Sequence, residues 1–200
     1  MVDSADADDL AQAHALQDAI QVEQASSGVL DVPSWDEASQ AKVRDALLIL
    51  NATLPDLRGA AGRRGDVDPV RHLIVTASGR GANPDQDAIY LNVTATRNDG
   101  TTDHRLTIPE PVPVDAFWSV TVHDATGHFH KNDRDAYSIN SITATRNADR
   151  SVTIQFGGCQ DAAANCLPIT ADWNYMVRSY RPQPLVLDGS YVIPEAEPIS

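Results

Sequence analysis

Two hundred residues with 42% apolar composition fit one domain of ordinary size, or one domain with a helical extension, and are enough to bury a proper core. The formal charge of −13, from 28 acids against 15 bases, repels phosphate backbones and anionic surfaces, so nucleic acid is excluded as an expected partner. No stretch approaches the roughly 18 uninterrupted apolar residues of a membrane span, so no membrane insertion is expected. The acidic start, MVDSADADDL, is unlike a basic and then apolar signal peptide. The chain as written therefore reads as soluble and cytoplasmic, or as periplasmic or secreted where a signal has been removed.

Residues 1–56 lack strand alternation and form a helical N-terminal segment on this reading. Leu10, Ala13, Leu16, Ala19, Ile20 and Glu23 approximate a 3.6-residue stripe that ends at Ser26-Ser27-Gly28. A second helix is better marked: Ser34 is an N-cap candidate with Glu37 three residues on, followed by Ala38, Ala41, Val43, Leu47, Leu48 and Leu50, and it stops before Pro55. Residues 57–70, rich in glycine and charge, read as a surface loop. Residues 71–200 read as β-structure, with candidate strands His72–Ala77, Ala88–Thr96, His104–Ile108, Ala116–His123, His128–His130, Tyr137–Thr145, Ser151–Phe156 and Asn174–Tyr180. Short strands with turn signals and no intervening helical pattern predict a mainly β domain, a jelly-roll-like antiparallel β-sandwich carrying N-terminal helices. The proline-rich tail from Arg181 onward is expected to wrap the sandwich surface rather than enter a sheet centre.

The segment AFWSVTVHDATGHFHK holds three of the six histidines. Phe117, Ser119, Thr121 and His123 alternate with Trp118, Val120 and Val122, which predicts one wet and one dry strand face. Asp124-Ala125-Thr126-Gly127 has turn chemistry. A hairpin closed there would set His123 opposite His128 and Thr121 opposite His130, with Phe129 on the core side. The three imidazoles would then stand about 5 to 7 Å apart on the wet face. Cys159 and Cys166 are the only cysteines. Their spacing is too long for a CxxC pair and two ligands are too few for structural zinc, which leaves a disulfide candidate or two reduced thiols in a packed loop.

Several strings resemble a known family: DPVRHLI, NPDQDAIYLNVT, VPVDAFWSVTV, NADRSVTIQFGG, NCLPI, WNYMVRSYRP and LDGSYVIPEA, in that order. From about Trp35 to the C-terminus the chain resembles the bacterial domain-of-unknown-function 1214 family in its short form with a helical N-terminal segment. That resemblance implies a jelly-roll-like β-sandwich, found in longer proteins beside a second uncharacterised β-domain, and it implies no activity. A carboxylesterase label attached to such proteins is rejected, because the chain has no GxSxG elbow and no α/β alternation. The family hairpin reads more like SVTVYNADGYFEKN, so His123, His128 and His130 depart from it.

Three functions are weighed. The first is a small-molecule enzyme of lyase, isomerase or cyclase type, with His123, His128 and His130 as catalytic candidates and no cofactor. The second is a metalloenzyme in which the same three histidines hold a divalent transition metal. The third is a non-catalytic small-molecule or carbohydrate-binding sandwich, whose amphipathic aromatics Tyr90, Trp118, Tyr137, Trp173, Tyr175 and Tyr180 either line a pocket or fill the core. Arg71, His72, Tyr90, Asn92, Tyr137, Arg178 and Tyr180 are substrate-binding candidates. Arg178, mid-strand among apolar neighbours, requires a partner and is either half of a structural ion pair or an anion clamp. Asn92, in an apolar strand, is expected to need internal hydrogen bonds. The expected partners are a small-molecule ligand or substrate, and a second copy if the chain is a homo-oligomer.

Overall fold

The computed structural model describes residues 6–54, 56–79, 82–160 and 164–199. The chain divides into two compact units, one ending at Glu37 and one beginning at Ala38. In the first, helix α1 (Ala7–Asp18) is opened by the Asp6 carboxylate, which accepts from the amides of Asp8 and Asp9, and it buries no residue. Residues 19–36 carry no helix or strand and are exposed throughout.

The second unit mixes helix and sheet. Helix α2 (Glu37–Asn51) starts at Glu37, so Ser34 lies outside it and the expected capping box is not made. The expected strand at His72–Ala77 is instead helix α3 (Pro69–Ser78). The reason is local: Asp68 accepts from the amides of Val70 and Arg71, and Pro69 sits in the first turn, where a missing N–H costs nothing. Arg44 Nε of α2 donates to Ala77 O of α3 at 3.3 Å.

The strands are β1 (Ala88–Val93), β2 (His104–Ile108), β3 (Trp118–His123), β4 (Ser138–Asn140), β5 (Val152–Phe156), β6 (Cys166–Leu167), β7 (Asn174–Tyr180) and β8 (Glu197–Pro198), with a single helical turn, α4 (Pro184–Leu187), before the last. They form two four-stranded sheets, ordered β1-β7-β3-β4 and β6-β5-β2-β8. All pairings are antiparallel except β5 with β6. Trp118, Val120, Val122, Tyr175 and Val177 of the first sheet join Leu106, Ile108, Val152, Ile154 and Phe156 of the second in one buried cluster. Trp118, Trp173 and Tyr175 belong to that cluster, so these three aromatics are core. The tail buries Val186, Ile193 and Ala196, and its proline-bearing β8 lies at a sheet edge. No described helix is long and apolar enough to cross a membrane.

Residues 128–130 are not a strand. The partner of β3 across the hairpin is β4, with Thr121 opposite Ser138 and Ser119 opposite Asn140. The turn does close at Asp124, whose amide donates to His128 O at 2.8 Å. Beyond that bond the chain leaves β3, and the sheet partner arrives only at residue 138. The face expected to be wet is not: Ser119 is 7% exposed and Thr121 3%, because β3 is an inner strand with neighbours on both sides.

Candidate functional site

Alternation fixes two faces on the first sheet. The residues of β1, β7 and β3 on the face away from the main buried cluster are Ala88, Tyr90 and Asn92, then Met176, Arg178 and Tyr180, then Ser119, Thr121 and His123, of which Ala88, Ser119 and Thr121 are themselves buried. Register places Tyr90 and Ser119 directly across from Arg178, and Asn92 and Thr121 across from Met176. The strands thus gather four of the sequence candidates, Tyr90, Asn92, Arg178 and Tyr180, on one face.

Arg178 is half-buried, and its Nη1 donates to the Thr121 hydroxyl. Among the described residues no carboxylate pairs with it; the ion pairs there are Arg58 and Arg71, both on Asp56. Of the two readings of Arg178, the structural ion pair finds no partner among the described residues. Sequence reasoning misses Thr121 as a site residue, since its meeting with Arg178 depends on β3 and β7 pairing across more than 50 residues of sequence. Tyr90 takes hydrogen bonds on its hydroxyl from Asn83, whose Nδ2 lies at 2.8 Å. The Tyr180 ring stacks on Phe117, with centroids 4.3 Å apart and planes at 18°. Asn92 is exposed on an edge strand, so solvent replaces the expected internal partners.

Arg71 and His72 lie on α3, outside both sheets, and are engaged by the preceding loop. Arg71 Nη2 donates to Asp56 O at 2.7 Å and to Asp56 Oδ1 at 2.9 Å, while His72 Nδ1 lies 2.7 Å from Ala60 O. Tyr137, just before β4, donates its hydroxyl to Asp135 and stacks on Phe129. Phe129 is 56% exposed rather than in the core, with the His123 ring stacked on it at 5.5 Å.

Among the described residues no three His, Cys, Asp or Glu side chains form a group that could hold a metal ion. His123 and His130 line one shallow, open depression with Val122, Asp124, Pro168 and Thr170, whereas His128 is turned to Thr126, its Nδ1 2.9 Å from the hydroxyl. Gly127, at φ 78°, takes the left-handed conformation that closes the turn, and its amide donates to Asp124 O. The Asp124 carboxyl is held at about 2 by the Thr126 hydroxyl and by the His128 and Thr126 amides. Cys159 and Cys166 form a disulfide, with Cα atoms 5.6 Å apart.

No curated protein matches the chain. Among solved structures it is similar to the VPA0106 protein from Vibrio parahaemolyticus, with 22% identity and a TM-score of 0.62 over 82% of this chain and 44% of that one. The chain therefore spans less than half the length of that protein, and the likeness is one of fold. An uncharacterised protein from Burkholderia cenocepacia overlaps less, with 17% identity and a TM-score of 0.41 over 56% of this chain and 29% of that one. Residues 87–184, which hold β1 to β7, match the model of a family described as a protein of unknown function, and through that segment the chain belongs to the DUF1214 family.

Proposed function

We propose that this protein binds a small anionic molecule on the β1-β7-β3 face, with Arg178 as its clamp. The observation that carries this is a half-buried guanidinium anchored by a neutral hydroxyl, with no carboxylate partner among the described residues. An arginine in such a place is expensive unless a counter-charge arrives, and a carboxylate supplies one with two parallel hydrogen bonds. The sheet order supports a jelly-roll-like reading of the domain, since the first strand lies beside the last long one, and residues 1–56 then act as a helical extension.

The test is a panel of small carboxylates added to the whole protein while its melting temperature is followed. Saturable stabilisation is expected with the wild type and not with Arg178→Gln. A panel in which no carboxylate raises the melting temperature, or raises it equally in the variant, refutes the clamp. A second reading, histidine acid/base chemistry, is favoured by one observation, the depression that His123 and His130 share. It requires that a panel member be converted by the wild type and not by His130→Gln, and it fails if no product forms.

A further inference from the structure

Arg178 is the centre of a three-by-three grid. Tyr90 and Ser119 stand beside it across the strands, and Met176 and Tyr180 before and after it along β7. The corners are Ala88, Asn92, Thr121 and Phe117, the last paired through its carbonyl with the Tyr180 amide at 2.9 Å. Four of these eight neighbours, Tyr90, Phe117, Met176 and Tyr180, are partly exposed and present carbon or an aromatic ring. A lone cation on a carbon-rich floor calls for a ligand that is charged at one end and apolar at the other.

The hydrogen bond from Nη1 to Thr121 fixes the guanidinium and leaves its Nε and Nη2 edge without a partner among the described residues. That edge is the fork that a carboxylate meets with both oxygens. One step of two residues along β7, about 7 Å, then leads to the Tyr180 ring stacked on Phe117. The net charge of −13 disfavours each further negative charge on the ligand, and no second cation is placed opposite Arg178 on this grid. A monoanion fits where a phosphate ester does not.

We infer that the ligand is an aromatic monocarboxylate, its carboxylate on Nε and Nη2 of Arg178 and its ring against the Phe117 and Tyr180 pair. This rests on the clamp reading above and names the class of molecule it takes. Thr121 is a positioning residue: it sets the fork and does not touch the ligand.

The experiment is a calorimetric or NMR titration of the whole protein with phenylacetate, acetate, decanoate and benzyl alcohol. Phenylacetate is expected to bind saturably and at least about tenfold more tightly than acetate or benzyl alcohol, since neither of those offers both ends. Phe117→Leu, which keeps much of the volume but removes the stacked ring, is expected to weaken phenylacetate and leave acetate unchanged. Arg178→Lys keeps the charge without the fork and is expected to weaken phenylacetate about tenfold. Acetate or decanoate binding as tightly as phenylacetate overturns the aromatic class while leaving the clamp standing. Benzyl alcohol equalling phenylacetate, or no carboxylate binding at all, overturns both, and titration of the wild type is enough to show it even where a variant fails to fold.

Discussion

A carboxylate at the head of a tight turn acts as a scaffold, not a proton carrier, when several donors converge on one of its oxygens. Asp124 Oδ1 accepts from the Thr126 amide at 2.8 Å, the Thr126 hydroxyl at 2.7 Å and the His128 amide at 3.1 Å. Asp99 does the same for the turn before β2, and the amides of Thr102 and Thr101 hold it well below the ordinary carboxylate range. Such a depressed group stabilises the fold above its unfolded value of 3.8, and that contribution is lost as pH falls through the folded value, about 2 for Asp124. The melting temperature of the wild type is therefore expected to fall between about pH 4 and pH 2, and that of Asp124→Asn to fall less over the same interval. Parallel thermal melts by circular dichroism check this; superimposable slopes would contradict it. The same chemistry keeps Asp124 ionised and a poor base. Single residues are legible in unequal measure. That Arg178 needs a partner follows from its apolar neighbours, yet which partner it meets depends on strand register. His104, fully buried between the carbonyls of Thr102 and Thr96, gives no signal, because its acceptors are backbone atoms of turns.

At the scale of elements, long alternating runs are readable and short ones are not. β2 and β7 match their expected bounds because alternation persists over five and seven residues. The expected strand at His128–His130 fails because three residues carry no period, and an edge strand arriving at Ser138 takes its place. Helix α3 is misread because Leu73, Ile74 and Val75 resemble a buried strand, whereas Asp68-Pro69 decides the matter as a cap. β6 is only two residues long and is invisible in the sequence. It is held by other means: Asn165 Nδ2 donates to Thr145 O at 2.7 Å and Thr153 O at 3.1 Å, Gly157 N donates to Leu167 O, and the disulfide ties Cys166 back to Cys159. With a sequence separation of 7 the bridge closes a short loop, worth about 2.5 kcal/mol by chain entropy. Cys159→Ser with Cys166→Ser is expected to lower the melting temperature by roughly 5 to 10 °C, and reductant to do the same to the wild type only. A variant melting with the wild type would show that Asn165 and the buried Leu167 suffice to hold β6.

For the whole molecule, the division near Glu37 separates two regimes of stability. The second unit holds a core in which Leu106, Ile108, Val120, Val152, Ile154 and Phe156 are fully buried, so opening it exposes apolar surface from both sheets. The described part of the first unit has no buried residue. A 12-residue helix without a buried face sits near the limit of stability in water, and residues 19–36 contribute no regular element. Backbone of that kind reaches a protease active site through local opening alone, at little cost in free energy. Brief treatment of the whole protein with Glu-C or chymotrypsin is therefore expected to cut first after Glu23 or Trp35 respectively, leaving fragments that begin at Gln24 or Asp36. Phe129, 56% exposed but stacked against His123 and Tyr137, is expected to be cut later. Mass spectrometry of the early fragments reads the order directly. Early cleavage within residues 116–131 would mean that the segment bearing the histidines opens as readily as an unpacked chain, and a depression built on His123 and His130 would then have no rigid wall on which to seat a ligand.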